Sequence, residues 1–261
     1  MPQDTAHDPV RYEVDGQIAV ITIDRPQVRN AVDGPTARAL HGAFERFDAD
    51  PDLRVAILTG SNGTFCAGAD LSAVADPERV NDLDPEGGGS GPMGPSRMVV
   101  GKPVIAAVAG HAVAGGLELA LLADLRVVEE DAVFGVFCRR WGVPLIDGGT
   151  VRLPRIVGLG RALDLILTGR SVDATEALAM GLANRVVGVG DSLRVAKELA
   201  VQIADFPFAC VLTDRASTYA GLDLPLADAL RAEGAAGVPI VGLEGAAGAE
   251  RFVGGAGRHG E

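Results

Sequence analysis

Short continuous apolar runs alternate along this chain with glycine-rich turns and with stretches of helical spacing. Residues 10–24 predict a hairpin. Arg11-Tyr-Glu-Val14 leads to a turn at Asp15-Gly16, then to Gln17-Ile-Ala-Val-Ile-Thr-Ile23. Ala37, Leu40, Phe44 and Phe47 recur at helical spacing and predict a helix over 33–47. Strands are predicted at 53–59, 104–108, 125–128 and 184–187. Helices are predicted at 116–123, 160–167 and 174–180. Another, at 192–204, aligns Leu193, Ala196, Leu199, Ala200 and Ile203 on one face. The stretch 72–96 holds Pro77, Pro85, Gly87-Gly-Gly89, Pro92 and Pro95, and reads as a mobile loop with little helix. Beyond Pro207 strand signals stop, and 208–219 and 224–233 read as helices. No strict repeat is present, although a loose strand–turn–helix unit recurs.

Composition narrows the classes. A length of 261 residues permits one large domain or two smaller ones, and 48% hydrophobic residues supply a sizeable core. The net charge of −12 argues against sequence-independent nucleic-acid binding and against an anionic membrane surface. Lys102 and Lys197 are the only lysines, so a polyanionic ligand must find local arginines. Cys66, Cys138 and Cys210 are odd in number and form no CxxC, which fits a reducing compartment. The polar start, Met-Pro-Gln-Asp-Thr-Ala-His-Asp, lacks a signal core, and no apolar run approaches the ~18 residues of a membrane span. These features lead us to expect a soluble, cytoplasmic protein. His7, His41, His111 and His259 have no ligand spacing, so no metal site is expected. No Walker lysine or dinucleotide glycine pattern is present.

Two glycine-rich junctions carry candidate chemistry. Gly110-His-Ala-Val-Ala-Gly-Gly-Leu-Glu-Leu-Ala120 follows the strand-like run 103–109 and opens an apolar helix. Amides at a helix start lack intrahelical partners and carry partial positive charge. A developing oxyanion is stabilised at such a place, and Glu118 in the first turn is placed to move a proton. Gly63-Thr-Phe-Cys-Ala-Gly-Ala-Asp-Leu71 follows another strand and ends in a second small-residue turn. Two such turns supply two N–H donors to one carbonyl oxygen.

Together these segments resemble the crotonase, or enoyl-CoA hydratase/isomerase, family. Its signature is an F-x-A-G-A-D-L turn, then K-P-V-I-A-A-V-x-G, then G-G-x-E-L-A, and the resemblance runs over about 10–258. It implies an α/β fold: a spiral of ββα turns over 1–206 that carries the acyl-CoA site. It also implies a C-terminal helical region, 207–261, that packs on neighbouring subunits in a homotrimer or hexamer. Acyl-CoA is the implied partner, with coenzyme A entering as part of the substrate and no separate cofactor. The resemblance places oxyanion donors at the Ala69 and Gly115 amides and gives Glu118 the activation of water. Substrate or CoA contacts fall on Arg29, Ala67, Asp70, Leu71 and Gly116. Arg29 lies in Arg25-Pro-Gln-Val-Arg-Asn-Ala31, similar to the family's R-P-x-x-x-N-A, where it meets a nucleotide phosphate or stays a solvated surface arginine.

The second acid departs from the family. Hydratases carry a glutamate three positions after the Phe134-Gly135 pair, and here that position is Cys138. A neutral thiol is a poor general acid, so Cys138 reads as a packing residue. Asp147, in Asp147-Gly-Gly-Thr150, resembles the D-x-G-T segment of dienoyl-CoA isomerases. It reads either as a catalytic partner of Glu118 or as a cap on a helix starting near Gly149 or the partner of a nearby arginine. Arg139 and Arg140 read as salt-bridge partners or as a carboxylate-recognising pair, and Trp141 as core or pocket wall. The expected function is hydration of 2-enoyl-CoA. Double-bond isomerisation and non-catalytic acyl-CoA binding are the alternatives.

Overall fold

A computed structural model describes residues 8–255. The chain forms two compact units that divide between Val201 and Gln202.

The first unit is built on parallel strands. The hairpin β1 (Val10–Asp15) and β2 (Ile18–Ile23) is antiparallel. β3 (Val55–Gly60), β4 (Val104–Val108), β6 (Leu125–Glu129) and β9 (Arg185–Val187) then add in parallel, giving the order β1-β2-β3-β4-β6-β9. Every residue of β2 and β4 is buried, as continuous apolar strands covered on both faces should be. A smaller sheet pairs β5 (His111–Val113), β7 (Val133–Gly135) and β8 (Ser171–Asp173). Each of these has three residues, too few for a period of two to stand out, and none is predicted from the sequence.

Helix α1 (Gly34–Ala49) starts where predicted. Asp33 accepts from the Thr36 amide at 3.1 Å, and Pro35 sits in the first turn. Leu40, Phe44 and Phe47 are fully buried on its inner face. Helix α2 (Gly115–Leu122) is buried at every residue, the mark of a core helix rather than a surface one. α3 (Gly149–Val157) and α4 (Leu159–Thr168) meet at Gly158. Pro154 inside α3 removes a ladder hydrogen bond, which breaks the helical signal there. α5 (Ala174–Ala179) and α6 (Ser192–Ala204) follow the predicted spans closely.

The stretch 72–96 is irregular as expected, but it is tied at both ends. Arg79 bridges to Asp33 and Asp70, and Asn81 donates to the carbonyls of Val32 and Pro92. Residues 92–96 are buried. The expectation of a mobile loop therefore fails for this part, because proline and glycine here serve close packing.

The second unit contains α7 (Phe208–Gly221), α8 (Leu226–Ile240) and α9 (Ala246–Val253), with a π turn at Val241–Gly245. The sequence predicts α8 only to 233. Gly234, Gly237 and Pro239 mask the rest. The Glu244 carboxylate accepts from the Ala209 and Cys210 amides at 3.1 and 2.8 Å, capping α7 from a distance. No residue of α7, α8 or α9 is buried, and Leu226, Leu230, Leu243 and Phe252 are exposed. Among the described residues, no helix is long and apolar enough to cross a membrane.

Candidate active site

The site grows from the sheet. β3 and β4 are parallel neighbours, with Ala56 opposite Val104 and Thr59 opposite Ala107, so the turns leaving their C-terminal ends lie side by side. They are laced together: the Cys66 amide donates to His111 O at 2.8 Å, and the Val113 amide to Cys66 O at 3.1 Å. Gly68 (φ 100°) sits at the seam. A Cβ built there would lie 2.9 Å from Ala114 Cβ and 3.0 Å from the Gly115 nitrogen. Only a glycine lets the two turns meet this closely.

This lacing leaves particular amides unused. Ala67 N–H donates to Arg29 O, Gly68 N–H to Cys66 Sγ, and Asp70 N–H to Val32 O. The Ala69 amide, between them, and the Gly115 amide, at the start of α2, have no hydrogen-bond partner among the described residues. Ala114, which aims α2, holds φ 53° and ψ −125°, a conformation that costs a non-glycine residue of order 1–3 kcal/mol.

Glu118 is 2% exposed. Its Oε1 accepts from the Asp147 amide at 2.9 Å and the Gly149 amide at 2.8 Å. Gly149 is required by space: a Cβ there would stand 2.9 Å from that same oxygen. Burial pushes the Glu118 carboxyl up to about 7, and the nearby Asp147 charge adds to the effect. The two amides and Arg152 pull the other way.

Asp147 is equally buried, and its Oδ1 accepts from the Met93 amide at 2.9 Å and from the Ser96 hydroxyl. It does not cap α3, where Gly148 holds the cap position without a side-chain bond, so the capping alternative is corrected. Burial raises its pKa, opposed by Ser96, Met93, Arg97 and Arg152. The backbone links the two carboxyls, because Asp147 donates its amide to Glu118. Such a pair titrates together.

Cys138 is buried in a 3₁₀ turn, Phe137–Trp141. Burial, then the Glu118 charge, raises its thiol pKa, which keeps it neutral. The salt-bridge reading of Arg139 and Arg140 and the reading of Trp141 are corrected around this turn. Arg139 donates to Ile166 O, and Arg140 donates to Gly169 O while stacking on Phe137 at 4.0 Å. Among the described residues neither pairs with a carboxylate, because backbone carbonyls at these ends lack other donors. Trp141 is 71% exposed, not core or pocket wall, because the short 3₁₀ turn leaves it on the surface.

Arg29 is exposed, and its left-handed backbone (φ 54°) presents the carbonyl to Ala67. The Asp70 carboxylate is engaged by Arg25, Arg79 and Ser72. Leu71 is 48% exposed and Gly116 is buried in the first turn of α2. Motif reading missed Arg25, which joins Asp33 and Asp70 at 2.9 and 3.1 Å beneath the Ala69 turn. It also missed Met93 and Ser96, which lie in a Pro-Gly stretch without periodicity. Among the described residues no cluster of His, Cys, Asp and Glu is placed to hold a metal ion.

The profile of the enoyl-CoA hydratase/isomerase family matches residues 13–236. The chain belongs to that family. An enoyl-CoA hydratase of Mycobacterium tuberculosis is 41% identical over 72% of each chain. A carnitinyl-CoA dehydratase of Proteus mirabilis is 41% identical over 73% of this chain and 72% of its own. Among solved structures, an enoyl-CoA hydratase from Mycobacterium marinum superposes with a TM-score of 0.87 at 35% identity, covering 95% of this chain and 96% of its own. The crotonase fold is thus shared along nearly the whole chain.

Proposed function

We propose that this crotonase-family protein adds water across the α,β double bond of a 2-enoyl-CoA, and removes it in reverse. One observation carries the reading: Glu118 of a buried carboxyl pair, Glu118 and Asp147, sits one helical turn from the unpartnered Gly115 amide, and the turn that holds the unpartnered Ala69 amide is laced to the turn that leads into α2. The amides hold the thioester oxygen as it gains negative charge, a contribution of about 10²–10³ in rate for each donor. Glu118 takes a proton from water as the water oxygen bonds to Cβ. Asp147 gives a proton to Cα. The competent state carries one proton, on Asp147, with Glu118 ionised; a Glu118 carboxyl raised to about 7 makes that state available near neutral pH and suppresses it in acid. Coenzyme A enters as part of the substrate, with contacts at Arg29, Ala67, Asp70, Leu71 and Gly116.

The acyl-CoA lyase works as a homotrimer or hexamer in this reading. Helices α7, α8 and α9, without a buried residue and with exposed leucines, support it, since such surface calls for a partner. Three free cysteines support a cytoplasmic location. A second reading, double-bond isomerisation, is favoured by the neutral Cys138 in place of the family's glutamate. There Glu118 and Asp147 relay a single proton and no oxygen is added.

Product mass after incubation with crotonyl-CoA, and in parallel with carnitinyl-CoA, in H₂¹⁸O tests both. Labelled 3-hydroxyacyl-CoA that Glu118→Gln and Asp147→Asn each sharply reduce is expected. A 3-enoyl-CoA shifted without label would favour isomerisation. No product from either substrate would remove the hydratase assignment.

A further inference from the structure

Ser96 is fully buried in the 3₁₀ turn Pro95–Arg97, outside the family motifs. Its hydroxyl donates to Asp147 Oδ1, beside the Met93 amide at 2.9 Å on the same oxygen. A side chain at Gly91 would collide with this hydroxyl, so the serine is confined from that side. Both donors fall on Oδ1, and Oδ2 is left without a hydrogen bond among the described residues. The Asp147 amide in turn donates to Glu118 at 2.9 Å. Ser96, Asp147 and Glu118 thus form one chain of contacts from the irregular segment to α2.

We propose that Ser96 is a positioning residue: it fixes Asp147 so that Oδ2 is the oxygen that exchanges the proton. This rests on the reading of Asp147 as the second acid. A hydroxyl buried only for packing leaves a donor to satisfy, at a cost an alanine avoids. Here the one acceptor it meets is the carboxylate in question. The charged and titratable groups facing the pair are Arg97 on the same segment, Arg152 on α3 and the Cys138 thiol. None of them changes when Ser96 is replaced. The hydroxyl favours the ionised form of Asp147, so without it Asp147 takes its proton at higher pH. The doubly protonated, inactive pair then persists further up the pH scale.

The test is kcat against pH for crotonyl-CoA hydration in wild type, Ser96→Ala, Asp147→Asn and the double variant, with circular dichroism to check folding. Loss of one hydrogen bond to a charged group predicts about a tenfold fall in kcat for Ser96→Ala, with KM unchanged. The acid limb moves to higher pH. In the Asp147→Asn background, Ser96→Ala costs nothing further in the residual rate. Ser96→Cys, nearly isosteric and a weaker donor, carries the same test if the alanine variant does not fold. An unmoved acid limb, or an equal fold-loss in both backgrounds, overturns the positioning role. A wild-type rate for Asp147→Asn overturns the assignment of Asp147 itself, and the Ser96 role with it.

Discussion

Replacing Glu118 by glutamine should stabilise the protein, and by an amount that grows with pH. The glutamine carbonyl keeps the bonds from the Asp147 and Gly149 amides at 2.9 and 2.8 Å, so the shape of the site is retained. What changes is charge. In the unfolded chain a glutamate ionises near 4.5, whereas in the fold burial and the Asp147 charge hold it neutral up to about 7. A group whose pKa is raised by folding contributes its full stability below the unfolded value and loses it as pH rises through the folded one. From 4.5 to about 7, at about 1.4 kcal/mol per pH unit, the loss for wild type amounts to about 3 kcal/mol by pH 8. The glutamine variant does not suffer it. The difference between the two should be near zero at pH 4.5, appear between pH 5 and 7, and level off above. Urea denaturation across this range, at one fixed protomer concentration because assembly affects apparent stability, measures it. A difference that stays flat with pH would show that Glu118 is not held neutral by its surroundings.

Two further perturbations probe the scaffold. Gly149→Ala places a Cβ 2.9 Å from Glu118 Oε1 and should displace the carboxylate, lowering kcat about 10²-fold while destabilising by about 1–3 kcal/mol. Steady-state rates and thermal unfolding of the same preparation check both, and a wild-type rate would show that the carboxylate's exact place is immaterial. Arg25→Ala strips the main counter-ion from buried Asp33 and Asp70 and should cost about 3–5 kcal/mol. Both aspartates have lowered pKa values, with hydrogen bonds and the Arg25 charge overcoming burial, so their stabilisation is present above the unfolded pKa and lost as pH falls. The Arg25→Ala deficit should therefore be largest at neutral pH and shrink in acid. Denaturation at pH 7 and pH 3.5 reads it, and a deficit that grows in acid would contradict the charge argument.

What the sequence disclosed follows from what each element needs to form. Long elements with a single buried face, such as α1 and α6, announce themselves by spacing, and β4 by an unbroken apolar run. Their starts were visible wherever a cap residue made them so, as Asp33 does for α1. The three-residue strands of the small sheet stayed hidden because their partners are distant in sequence and their length holds no period. In the site, the two glycine-rich turns and Glu118 stand out in the sequence, because strand-to-helix turns there demand small residues at fixed spacing, while the choice of Ala69 and Gly115 within those turns comes from the family resemblance. Asp147 was ambiguous, since an aspartate before Gly-Gly suits a cap as well as an acid, and only tertiary contacts decide. Ser96 and Arg25 act across 51 and 45 residues of separation, on Asp147 and Asp70 respectively, and nothing local marks such reach.

The anchorage of Glu118 has a consequence for how this site can change. Both groups that seat its carboxylate are peptide amides, contributed by Asp147 and Gly149. A peptide amide survives any substitution except proline. The side chain at 147 can thus be exchanged, acid for amide or for something inert, without unseating the glutamate one turn into α2. Scaffolding and chemistry at that position are separate inheritances. In such an arrangement a second acid can be lost at 138 and supplied at 147 while the first residue of the pair stays where it was.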